Sequence, residues 1–118
     1  MQELTKAEEQ VMQILWDLKK AFVKEIVAKF PEPKPAYNTI STIIRILEKK
    51  KIVAHEPFGR THRYYPLVSR ESYANQSANH LIDNYFGGSA ENLLSYFMKE
   101  KNISAQELEQ IMDQIKKS

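Results

Sequence analysis

Apolar residues recur along this chain with two different periods, and the change of period marks its parts. From Ala36 to Lys50, in AYNTISTIIRILEKK, the residues Ile40, Ile43, Ile44 and Leu47 fall on one stripe at 3.6 residues per turn, as in a helix laid on a core. The opposite stripe holds Asn38, Ser41, Thr42, Arg45 and Lys49, mostly short hydrogen-bonding side chains where a merely solvated helix would carry Glu and Lys. Two helices are predicted upstream. Thr5-Lys6-Ala7-Glu8 is a capping box, and Val11, Ile14, Leu15 and Leu18 follow it as a buried stripe flanked by Met12 and Trp16. A shorter periodic segment carries Val23, Ile26, Val27 and Phe30 until Pro31-Glu32-Pro33-Lys34-Pro35 stops it, because each ring removes a donor and disfavours helix in the preceding residue.

After Lys51 the period shortens. Ile52 to Glu56 and Thr61 to Tyr65 are rich in branched and aromatic residues, with Pro57-Phe58-Gly59-Arg60 as a turn between them. This predicts a two-stranded hairpin, which is marginal alone and must lean on the helices. Three helices and a hairpin within residues 1–68 are the order of a winged helix, so the expected fold is mainly α with a small β-hairpin.

Residues 69–118 are predicted helical and form the second part. Ser69 is a candidate cap, Tyr73, Leu81, Ile82, Tyr85 and Phe86 are apolar, and Gly87-Gly88-Ser89 breaks the run. Ala90, Leu93, Leu94, Phe97 and Met98 then recur at helical spacing. Ser104-Ala105-Gln106-Glu107 is a second capping box, opening a helix with Leu108, Ile111, Met112 and Ile115. About fifty residues in three short helices bury such stripes poorly by themselves. A second copy of the chain would supply the missing surface, so a homodimer is expected through Tyr73, Leu81, Tyr85, Leu93, Leu94, Phe97, Leu108, Ile111, Met112 and Ile115. The competing arrangement folds the tail back on the winged helix.

Composition narrows the class. With 42% apolar and 27% charged residues, and few Gly or Pro, the 118 residues read as a helix-rich globular chain. No apolar run approaches 18 residues, and MQELTKAEEQ has neither a basic start nor an apolar segment, so a cytoplasmic protein without a signal peptide is expected. Zero cysteines exclude disulfides, a thiol nucleophile and thiolate metal sites. The net charge of +2 is uninformative, but its distribution is not: residues 1–68 hold 12 Lys and Arg against 8 Asp and Glu, and residues 69–118 hold 5 against 7. Arg45, Lys49, Lys50, Lys51, Arg60 and Arg63 are opposed locally only by Glu48 and Glu56, which predicts a positive potential there.

Double-stranded DNA suits both observations. A major groove admits one helix, and Asn38, Ser41, Thr42 and Arg45 have the reach and chemistry to meet base edges. Lys49, Lys50 and Lys51, with Arg60 and Arg63 on the wing, are expected on phosphates. Catalytic readings fare poorly. His55, His62 and His80 are scattered, His55 with Glu56 makes at most a loose metal pair, and no phosphate loop or nucleophile elbow occurs. No enzyme activity, cofactor or metal is expected. Two other readings stay open: a winged-helix protein-interaction module, and a regulator holding a small ligand between tail and winged helix.

LTKAEEQVMQILWDL, VKEIVAKF, AYNTISTIIRILEKK, GRTHRYYPLVSRE and NYFGGSAENLL together resemble the BlaI/MecI/CopY family of bacterial transcriptional repressors. In that family these stretches are the first and second helices, the recognition helix, the wing with its exit, and the dimerisation region. The resemblance implies a dimeric repressor on a palindromic operator, each winged helix entering one half-site, with Thr39, Thr42, Arg45 and Lys49 facing DNA and Arg60 on the wing. The chain departs from the family in three places. It lacks the C-terminal cysteine cluster of the copper-responsive branch. In the beta-lactam branch a membrane sensor protease triggers cutting at an Asn-Phe bond, and Tyr96-Phe97 stands at the matching place, so neither that cleavage nor that protease as a partner carries over. The usual glycine closing the recognition helix is Lys51.

Overall fold

The computed structural model describes residues 3–117: α1 (Lys6–Leu18), β1 (Ala21–Phe22), α2 (Val23–Lys29), α3 (Tyr37–Lys49), β2 (Val53–Phe58), β3 (Thr61–Pro66), α4 (Arg70–Tyr85), α5 (Ala90–Glu100) and α6 (Ala105–Lys117). Local chemistry sets most of these ends. Thr5 Oγ1 accepts the Glu8 N–H at 3.1 Å and Glu8 Oε1 accepts the Thr5 N–H at 2.8 Å, so two of the orphan donors at the start of α1 are satisfied reciprocally. α2 stops ahead of the proline run, from which the Lys34 ammonium reaches back to the carbonyls of Ala28 at 2.8 Å and Phe30 at 2.7 Å. A cation on the carbonyl end of a helix is the favourable placement.

α3 closes in a Schellman motif. The Ile52 N–H bonds the Leu47 carbonyl and the Lys51 N–H the Glu48 carbonyl, both at 3.0 Å, with Lys51 left-handed at φ 64°. Ile52 and Leu47 are both buried, supplying the apolar contact that accompanies this motif. Lysine thus occupies the conformation that glycine adopts without strain.

The predicted hairpin forms, and it gains a strand. β2 pairs β3 antiparallel with His55 opposite Tyr64 and Pro57 opposite His62, while β1 pairs the other edge of β3 with Ala21 opposite Tyr64 and Phe22 opposite Arg63. Two residues are too few to show a period, and their pairing partner is far along the chain, so β1 had no signal in the sequence. Alternation puts Val53, His55, His62 and Tyr64 on the face turned to the helices, and Glu56, Phe58, Arg63 and Tyr65 on the other.

The helical stripes meet as their spacing predicts. Val11, Met12, Leu15, Val23, Ile26, Ile40, Ile44 and Leu47 are buried together with Ala21, Ile52, Val53 and Tyr64, and Ile14, Leu18, Val27, Phe30 and Ile43 pack against them. Trp16 lies partly buried at the edge of this core, its indole N–H donating to the Val68 carbonyl at 2.8 Å. Tyr73, one of the residues expected in the dimerisation stripe, packs here as well: its ring lies 5.9 Å from that of Trp16 and its hydroxyl 3.2 Å from a Glu9 carboxylate oxygen.

The chain divides into two compact units, the first ending at Asn75 and the second beginning at Gln76, a point within α4. In the second unit Gly87 and Gly88, both at positive φ, end α4, and Ser89 caps α5 by accepting the Asn92 N–H at 3.2 Å. The Ser104 hydroxyl accepts the Glu107 N–H at 3.1 Å at the start of α6. Among the described residues of this unit none is buried: Leu93 and Leu108 are half-buried, while Leu81, Tyr85, Leu94, Tyr96, Phe97, Ile111, Met112 and Ile115 are exposed. No helix among the described residues is long and apolar enough to cross a membrane.

Candidate nucleic-acid interface

The polar stripe of α3 stands in solvent. Asn38, Thr39, Thr42, Arg45 and Lys49 are exposed and Ser41 is half-buried, while Ile40, Ile44 and Leu47 on the opposite side are at most 1% exposed. One helix therefore has its register locked by the core and its other face free. The Thr42 hydroxyl donates to the Asn38 carbonyl at 2.9 Å, which fixes its rotamer. Arg45 donates through Nε to the Ser41 carbonyl at 3.3 Å, leaving the two terminal nitrogens available as a fork. The first turn of α3 has no acidic residue and no side-chain cap, so nothing neutralises the positive end of the helix dipole there.

The three lysines that follow Glu48 have different surroundings. Lys49 continues the outward stripe and Lys51 is exposed, but Lys50 turns inward, its Nζ 2.9 Å from both carboxylate oxygens of Glu8. Burial raises the affinity of the Glu8 carboxylate for a proton, yet the Thr5 N–H and the Lys50 ammonium outweigh it and hold the group below its usual range. Lys50 thus bridges the end of α3 and the start of α1.

The two wing arginines also part company. Arg60 sits exposed beside Gly59 at the turn. Arg63, on the outer face of the sheet, donates to Glu56 Oε1 at 3.1 and 3.2 Å and lies 4.6 Å from the centre of the Phe58 ring. Arg63 and then Lys20, which is 3.2 Å from the same carboxylate, lower the proton affinity of Glu56. Its place in the strand alternation puts Arg63 within this outer network.

The inner face of the wing is tied to α3. His55 Nδ1 contacts the Glu48 carboxylate, and the His55 ring stacks on His62 with centres 4.0 Å apart. Glu56 is on the other face, so the loose pair of His55 with Glu56 is not assembled. Among the described residues no three of His, Asp and Glu are grouped to hold a metal. Burial, with the Glu48 charge adding to it, pushes the Tyr64 phenol up, so it stays neutral between wing and helix.

Between α2, α3 and the wing runs an open bay of about 850 Å³. Lys24 of α2, Tyr37, Ser41 and Arg45 of α3, and Arg60 and His62 of the wing line it. Lys24 and Tyr37 carried no signal in the sequence: one reads as a solvated lysine, the other as an aromatic at a helix start.

The family model described as penicillinase repressor matches residues 4–117. A penicillinase repressor of Staphylococcus aureus is 27% identical over 112 residues, covering 94% of this chain and 89% of that protein. The methicillin resistance regulatory protein MecI of Staphylococcus epidermidis is 26% identical over 116 residues, covering 98% and 94%. A solved chain described as a CopR repressor structure is 35% identical, covers 58% of this chain and 100% of its own, and has a TM-score of 0.48. With a match over residues 4–117, which takes in every element from α1 to α6, the chain belongs to the penicillinase repressor family, whose members are transcriptional repressors and not enzymes.

Proposed function

We propose that the protein is a dimeric, sequence-specific repressor that lays α3 in the major groove of a palindromic operator and its wing along the adjoining backbone. The observation that carries this is the exposed stripe of α3, in which Asn38, Thr39, Thr42 and Arg45 stand free of the core that fixes the helix. Their donors and acceptors match base edges, with the Arg45 fork suited to guanine and the Thr42 methyl to thymine. Lys49, Lys51 and Arg60 border the same face and are read as phosphate contacts, whereas Lys50 and Arg63 are read as structural. Homodimerisation is supported by the eight exposed large apolar side chains of α4 to α6, a surface that one copy leaves to water. A two-fold dimer makes the operator's symmetry a copy of its own, with half-site spacing set by the tail.

The test is selection of duplexes from a random-sequence pool, followed by titration of the selected duplex and a scrambled one. The reading requires an inverted repeat, tighter binding to it than to the scramble, and a steep fall with salt. Equal affinity for both duplexes refutes base reading. Arg45→Ala is expected to cost about 1–3 kcal/mol at one base-pair position of the repeat and little elsewhere.

A further inference from the structure

The bay between α2, α3 and the wing brings together three cations from three different elements. Among the described residues Lys24 and Arg60 form no ion pair or hydrogen bond through their side chains, and Arg45 keeps its two terminal nitrogens free. The carboxylate at the rim, Glu25, is turned onto the Phe22 N–H at 2.8 Å. Tyr37, 55% exposed, and Ser41 also border the bay, and neither hydroxyl makes a hydrogen bond among the described residues. With Arg45 kept for a base edge, the unpaired Lys24 and Arg60 and the two hydroxyl donors around an open concavity suit a run of phosphodiester oxygens.

We infer that this bay seats one strand of the operator's sugar–phosphate backbone, with Lys24 and Tyr37 as phosphate contacts beside Arg60, and with Ser41 holding backbone rather than reading a base. The inference rests on the operator reading above and adds three assignments to it. α3 enters the major groove on one side of this strand and the wing tip passes on its other side, so the strand between them must lie against α2. The Glu48 to His55 contact ties the wing to α3. A neutral, apolar lining at the same place would leave the charged strand desolvated and unpaired.

The experiment compares the full chain with Lys24→Ala, Tyr37→Phe, Ser41→Ala and, as a control for loss of one exposed positive charge outside the bay, Lys6→Ala. Binding is followed by fluorescence anisotropy on the selected and the scrambled duplexes across a salt series. Each phosphate contact contributes about 0.9 to the slope of log affinity against log salt, so Lys24→Ala should lower the slope by about one per half-site. That is about an eightfold loss at 0.1 M salt relative to 1 M, and it should be the same on both duplexes. Tyr37→Phe should lose about three- to tenfold without a change of slope, and Ser41→Ala should weaken every base sequence alike. Urea midpoints equal to the parent's show that the fold is kept.

A Lys24→Ala slope equal to that of Lys6→Ala overturns the bay assignment while leaving operator binding in place. A Lys24→Ala loss confined to the selected duplex also overturns it, since that is base reading. Failure of the parent chain to prefer any duplex overturns the operator reading itself, and the bay with it.

Discussion

Replacing Lys50 with Met separates its structural role from a role in binding. The substitution keeps a stem of similar length, with sulfur in place of one methylene, and removes the ammonium. In the native fold that ammonium is 2.9 Å from both oxygens of Glu8, a carboxylate only 6% exposed, while the lysine side chain itself is 25% exposed. Stripping one partner from a buried pair costs about 3–5 kcal/mol when the remaining charge is left with nothing. Here the Thr5 N–H stays on Glu8 Oε1 and water reaches the site from the lysine side, so about 2 kcal/mol is the expected loss. For a unit of this size that is a fall of about 10 °C in Tm. Urea unfolding followed by fluorescence reads it directly, because Trp16 is the sole tryptophan and lies against the same core. Glu8→Gln completes a double-mutant cycle, and the pair should be less destabilised than the sum of the singles by about 1–2 kcal/mol. If Lys50→Met unfolds with the parent but binds every DNA more weakly with a flatter salt slope, the structural role is wrong and Lys50 is a phosphate ligand.

Three more outcomes follow from the same geometry. Since the Glu8 carboxyl is held below its unfolded value of about 4.5, its contribution is complete above that value and drains away as pH falls through the folded one; Glu8→Gln should flatten the acid limb of a stability profile and leave neutral pH nearly as the single-mutant cost dictates. Lys51→Gly should stabilise the first unit by up to about 1 kcal/mol by relieving a left-handed lysine, less whatever glycine adds to the unfolded chain, and Lys51→Val should destabilise; unchanged urea midpoints for both would contradict the strain argument. Leu94→Asp puts a charge on the exposed stripe of α5, so sedimentation should show less dimer and titration a weaker operator complex, whereas a parent chain that is already monomeric at micromolar concentration defeats the tail reading.

Much of this molecule is readable in one dimension because the forces involved act within a few residues. A threonine and a glutamate three apart can close a cap regardless of what surrounds them, and so the start of α1 is legible. The proline run ends α2 by its own sterics, and four isoleucine and leucine positions at helical spacing declare which side of α3 is inward. The exposed polar stripe then follows by elimination, since the far side of a helix pinned by its core can only face outward.

What the linear pattern left undecided were the partners of long side chains and of short strands, both of which depend on residues distant in the chain. Lys49, Lys50 and Lys51 look equivalent in a row, yet helical rotation sends one to the outward stripe, one onto Glu8 and one into the left-handed closure of α3. Arg60 and Arg63 look equivalent too, until the turn and the strand alternation give one to solvent and the other to Glu56. β1 exists only because β3 offers it an edge, and Tyr73 joins the first unit only because Trp16 is there to meet it. Sequence by itself determined the helices, the hairpin and the inward faces of α1, α2 and α3, because burial periodicity is a local property of the backbone. Tertiary structure alone decided which charges stay free, because a cation's availability depends on whether folding brings a carboxylate within reach.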